Sequence, residues 1–160
     1  MEDSGFTFRG QRPDEKVADV IRRHPIIFFW PLLQATLGLA VGIIVLIYAG
    51  FGDIFLIVGF IALLFIFSVI FKIWFIYSNS FCLITNQRVI NVDQRGFFNR
   101  VITETEFSKI QDVTNSTNGM IGTSLNFGEV AIQTAGKENK LLIKFVPDPY
   151  SVQQEITKHL

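Results

Sequence analysis

Between Ile26 and Tyr48 no side chain is charged, and between Ile54 and Tyr77 only Lys72 is. After Tyr77 the pattern changes to an alternation of apolar and polar residues, clearest in "SFCLITNQRVINVDQRGFFNRVITETEF", Ser80 to Phe107. Each apolar run exceeds the 18 or so residues that mark a membrane-crossing helix, and at about 1.5 Å per residue each can cover a hydrocarbon core of roughly 30 Å. Two buried core helices are the alternative, but a chain this short cannot cover two helices that are apolar all round. The pattern therefore divides the chain into an N-terminal segment (1–25), a two-helix transmembrane hairpin (26–77) closed by "AGFGD", and a β-domain (79–160).

Basic residues set the expected orientation. The loop between the runs has no Lys or Arg, the first 25 residues have five, and the chain after Phe71 has the other nine. By the positive-inside rule both termini and the β-domain are cytoplasmic. Trp30, Lys72, Trp74 and Tyr77 then fall at the cytoplasmic interface as anchors, with Lys72 snorkelling. Gly38 with Gly42, and Gly59 with Ala62, form small-residue patches. These pack the hairpin on itself or, in the alternative reading, form a dimer face. Pro25 and Pro31 break or kink the entry, so the first span proper is expected to start near Pro31.

In the N-terminal segment Val17, Val20, Ile21 and His24 recur at helical spacing after Pro13 and Asp14. This predicts a short amphipathic helix ended by Pro25, lying on the bilayer or simply solvated. No secretory signal is read in "MEDSGFTFRGQRPDEK", which lacks a short apolar core.

In the β-domain the alternation predicts strands near 80–85, 88–94, 97–107, 109–118, 128–135 and 139–146. A hairpin turn at Arg95-Gly96, with Gly96 at positive φ, would set Val92 opposite Asn99 and Ile90 opposite Val101. That register puts Ile90, Val92 and Val101 on one face. "AGKEN", 135–139, predicts a second hairpin with Gly136 at its bend. Asp148 as N-cap and Pro149 at the first helical position open a C-terminal helix that packs through Val152 and Ile156. The stretch 114–127 has no legible pattern.

Composition fits a membrane protein: 49% of residues are hydrophobic, 17 are Phe, and 18% are charged, against roughly 25% in typical globular chains. Basic and acidic residues balance at 14 each, which gives nucleic acid no clustered basic patch. Cys82 is the only cysteine and excludes an internal disulfide; with two histidines, a metal site is not expected. No catalytic set is readable either. Cys82 has no neighbouring His, and Glu104 with Glu106 read as one solvated strand face. "GMIG" is too weak for a phosphate loop, and the Asn115-Ser116-Thr117 sequon is discounted on the cytoplasmic side. No enzyme activity, cofactor or small-molecule substrate is expected, and two short spans offer no transport pathway.

Several segments resemble, in order, the bacterial pleckstrin-homology (PH)-like membrane proteins of YdbS type. They are "RPDEKVADVIRRHP", with Glu15 and the His24-Pro25 pair, then "FCLITNQRVI", "EFSKIQDV", "FGEVAIQTAG" and "FVPDP". The resemblance implies an all-β PH-like barrel of seven antiparallel strands, capped by a C-terminal helix, in the bacterial cytoplasmic membrane. Six strands are legible, which places the seventh within "GTSLNF". The family implies no enzyme and no assigned ligand. Two readings follow, with the bilayer as a partner in both. One is a membrane-held module for a protein partner or homo-oligomer; the other is a sensor of anionic headgroups through Arg88, Arg95, Arg100 and Lys109. Interleaved acids, eight against eight bases from Asn79 on, favour protein interaction.

Overall fold

The computed structural model describes residues 8, 10–49, 53–135 and 140–160. Four strands form one antiparallel sheet: β1 (Val17–Arg22), β2 (Phe81–Thr85), β3 (Arg88–Gln94) and β4 (Arg100–Glu106). Three more form a second: β5 (Ile110–Ser116), β6 (Phe127–Thr134) and β7 (Lys140–Pro147). The two long helices, α1 (Phe29–Ala49) and α2 (Asp53–Ser78), leave the chain between β1 and β2. A short helix α3 (Gly119–Ser124) joins β5 to β6, and α4 (Pro149–Thr157) follows β7. Phe51 and Gly52 of the inter-span loop, with Gly50, and residues 136–139 of the second expected hairpin loop, lie outside the described residues.

The expected amphipathic helix at Val17–His24 is instead β1, paired antiparallel with β2. The helix-like spacing has a strand explanation. Val17 lies opposite Thr85 and Asp19 opposite Ile84, so Ala18 is an extra residue, a bulge. The bulge lets Val17 and Val20 both reach the outer side of the sheet, where they meet Leu83, Ile90 and Val92. Ile21 then turns inward. β-branched side chains suit the pleat, and pairing with β2 decides the outcome. The segment 1–25 thus supplies the seventh strand, and "GTSLNF" falls largely in α3 and the turn after it.

The inner core lies between the sheets and under α4. Ile84, Val130, Ile132 and Ile156 have no solvent exposure there. α4 starts as the sequence requires: Asp148 caps it by accepting from the Ser151 N–H at 3.4 Å, and buried Val152 and Ile156 point to the core. At Gly128 the β5 backbone comes so close that a Cβ would lie 2.1 Å from the Ser116 carbonyl oxygen. The barrel implied by the resemblance is not closed. The sheet order ends at β4 on one side and β5 on the other, while His24 N–H donating to Phe145 O at 2.6 Å ties the end of β1 to β7.

The β3–β4 turn also departs from expectation. Val92 pairs with Ile102 and Asp93 with Val101, so Val101 is on the face opposite Ile90 and Val92. Gly96 does not take positive φ; among the described glycines Gly10 and Gly119 do. The connection is a longer loop, 95–99, closed by Arg95 N–H donating to Asn99 O at 2.9 Å. Phe97 leaves the strand because it has apolar partners elsewhere, on α2.

α1 and α2 pack antiparallel on each other. Apart from that contact the two helices are almost wholly uncovered by the rest of the chain, 6% and 0% buried. Pro31 falls in the first turn of α1, where its missing N–H has no partner to lose, so the helix begins at Phe29 without a break.

Candidate functional site

The root of the helical hairpin organises the domain's surface. At the entry, the His24 ring stacks on Phe127 at 5.1 Å, and its Nδ1 accepts from the Ile26 N–H. Phe28 meets Tyr77 at 5.1 Å, so the start of α1 and the end of α2 stand side by side. Trp30 and Trp74 are exposed at this same end, and Lys72, two residues before Trp74 on α2, is exposed as well. Within the hairpin, Gly38 and Gly42 face α2. A Cβ on Gly38 would lie 3.0 Å from the Phe65 ring, and one on Gly42 would lie 3.8 Å from the Ala62 Cβ. Gly59 has nothing within 4 Å and takes no part in this contact.

The four cations expected to form one lipid or partner surface are separated. Arg88 is buried. Its Nε donates to Glu15 Oε1 at 2.9 Å and its Nη2 to Glu15 Oε2 at 3.0 Å, and it also pairs with Glu104. Thr85 Oγ1 and the Arg12 N–H complete the cradle around the Glu15 carboxylate. Burial pushes the Glu15 carboxyl up, but these hydrogen bonds together hold it below its ordinary value; Glu15 in turn raises Arg88. Arg88 therefore cannot present its charge to a membrane or partner. Its partner is far away in the chain, on a segment read as a separate helix, so nothing near "TNQR" signals the pair.

Arg95 pairs with Asp93 at 2.9 Å, and Arg23 also pairs with Asp93. Burial raises the Asp93 carboxyl, but both arginines outweigh it and hold it low. Lys109 pairs with Glu106 at 3.0 Å, and Arg12 reaches Glu106 at the same distance. Arg100 is exposed. The four fall into two pairs: Arg95 and Arg100 flank the β3–β4 loop beside α2, while Arg88 and Lys109 line the cleft beside β4.

At the gap between the sheets, β4 presents a free edge. A cleft of about 570 Å³ opens beside it, lined by Thr103, Thr105, Glu106, Lys109, Lys140 and Leu141 among others. Its charges are largely paired across the rim, so the cleft carries no concentrated field. Cys82 is buried and its thiol is pushed up to about 12 by burial, which leaves it inert as a nucleophile. Among the described residues, no three His, Cys, Asp or Glu side chains are grouped to hold a metal ion.

The bacterial PH domain family model matches residues 32–159, well over half of the chain. This is a protein of the bacterial PH domain family. The match begins inside α1 and so leaves out β1. Among solved structures the chain is similar to a DUF1696 family protein with a pleckstrin-homology domain from Shewanella loihica PV-4. That similarity is 18% identity over 50% of this chain and 69% of the other, with a TM-score of 0.40. No functionally curated protein matches.

Proposed function

We propose that this protein is a non-enzymatic, membrane-anchored PH-like module, of YdbS type, that docks a protein partner or a second copy at the cytoplasmic face of a bacterial membrane. The observation that carries the reading is the insertion of two exposed, predominantly apolar helices between paired strands β1 and β2. A bilayer is the medium that covers such helices. With both ends of the hairpin fixed in neighbouring strands, the domain has little freedom to swing. Orientation rests on the basic residues, which flank the hairpin root and are missing from the inter-span loop.

The free β4 edge and its cleft support protein interaction, since an extended segment can add to an unpaired edge. A photo-crosslinking residue at Thr103, with another at Lys158 on the far side of α4 for comparison, tests this in native membranes. A defined adduct from Thr103, either twice the chain's mass or a recurrent partner, is the expected result. Monomer alone from Thr103 would remove the edge as the docking surface.

The second reading, recognition of anionic headgroups, is favoured by Arg95 and Arg100 beside the hairpin. It is the weaker one: Arg88 is committed to Glu15, and Asp93 offsets Arg95.

A further inference from the structure

Neither sheet covers the tip of the β3–β4 loop. Phe97 stacks on Phe71 at 5.9 Å and packs at a tilt against Phe75 at 5.3 Å between ring centroids. Phe98, the next residue, is fully exposed at 103%. Phe71 and Phe75 are one turn apart on one face of α2, so Phe97 lies along the side of the helix, not past its end. Phe71 precedes Ser78, the last residue of α2, by seven positions (78 − 71), which is about 10 Å along the axis. The domain thus reaches back beside the helix.

We propose that Phe97 and Phe98 form a wedge that enters the lipid leaflet beside α2, giving the domain a third hold on the membrane besides the two ends of the hairpin. This rests on the reading of α1 and α2 as membrane spans. The occupant of the surface is lipid because the tip is continuous with the exposed face of α2. Trp74 touches Phe71 at 6.0 Å and Phe71 touches Phe97, forming one aromatic surface in which Trp74 is 56% exposed. A helix face bathed in lipid carries its immediate neighbour into the same medium.

The surrounding chemistry fixes the depth. Lys72, Arg95 and Arg100 are all exposed around the aromatic surface, and Arg and Lys at this level run their stems over apolar groups while their charges reach headgroup phosphates. The loop also satisfies part of its own backbone. Arg95 N–H donates to Asn99 O, and the Gln94 side-chain amide donates to Gly96 O. An irregular loop of this kind is tolerated at the interface and not in the hydrocarbon centre. Phe98 has no packing role in the sheets, and in water it would be a bare apolar ring at the end of a loop.

The test uses the full chain in vesicles of phosphatidylethanolamine and phosphatidylglycerol, with part of the lipid brominated either high or low on the acyl chain. Trp30 and Trp74 are the only tryptophans. Trp30→Phe leaves Trp74 as a reporter on α2, and Trp30→Phe with Trp74→Phe and Phe98→Trp puts the sole reporter on the tip. Both reporters are expected to lose emission, the tip reporter more to high-placed than to low-placed bromine. A quenched α2 reporter with an unquenched tip reporter overturns the wedge and leaves the spans standing. If neither is quenched, the spans fail and the wedge with them. A blue-shifted but unquenched tip reporter means a protein surface covers Phe98, which also overturns the proposal.

Discussion

Arg22 on β1 stands opposite Phe81 on β2, the last pair of their register, and between them the chain runs out through residues 23–80 and back. The two long helices therefore occupy the place of an ordinary β-hairpin loop. They are inserted into the PH-like domain instead of being attached in front of it.

Residues 79–160 are therefore expected not to fold on their own. Without β1, the β2 edge and the inner core lose Ile21, and the outer cluster loses Val17. A chain in which 26–77 is replaced by a short Gly/Ser linker is expected to fold as a domain with a cooperative thermal transition. The 79–160 fragment is expected to lack that transition by circular dichroism. Equal stability of the two would mean β1 contributes nothing to the fold.

The Glu15–Arg88 pair joins the first of these segments to the second. Arg88→Met leaves a carboxylate buried without its main partner, and the expected loss is about 3–5 kcal/mol of stability. Combining it with Glu15→Gln should recover much of that loss, measured by thermal unfolding in detergent. Additive single effects would show that the two side chains are not coupled.

The same pair sets a pH dependence. Glu15 is held below its ordinary value of 4.5, so the folded state binds its proton less tightly than the unfolded state. Its contribution is complete above about 4.5 and declines as pH falls through the lower folded value. Glu15→Gln is expected to flatten the acid side of the stability profile. An unchanged acid limb would assign it to other carboxylates.

Much of this was legible because it rests on local rules. The lack of charge over 26–48, and over 54–77 apart from Lys72, marks the helices, and Asp148-Pro149 marks the start of α4. Alternation gives β2, β3, β6 and β7 to within a residue or two. What failed depends on contacts distant in sequence. The bulge at Ala18 gave β1 a helix-like spacing, and only β2 shows that the segment is a strand. Phe97 and Phe98 extended the apparent β4 because their apolar character reads as strand, whereas Phe97 serves a contact with α2. Arg88 looked available because Glu15 lies across the whole hairpin. In 114–127, the helix "GMIGTS" is only six residues long, too short to carry a period that can be read.

Within the helices, the glycines separate cleanly. Gly38→Leu would force a side chain against Phe65 and is expected to cost about 1–3 kcal/mol. Gly59→Ala meets nothing within 4 Å and should gain about 0.5–1 kcal/mol from helix propensity. Thermal stability in detergent checks both. A destabilising Gly59→Ala would point to a second copy packed at that position.

Cysteine accessibility in intact cells decides whether the inserted hairpin fixes the domain to the inner face of a membrane. Cys82 is buried with its thiol pushed up to about 12, so it stays silent to a maleimide under native conditions. Asp53→Cys and Lys140→Cys, made separately, are treated with a membrane-impermeant maleimide on cells whose inner membrane is intact. The position between the helices is expected to be labelled at once, and position 140 only after the inner membrane is opened. Labelling of position 140 from outside, or of neither or both positions regardless of the membrane, would contradict this arrangement.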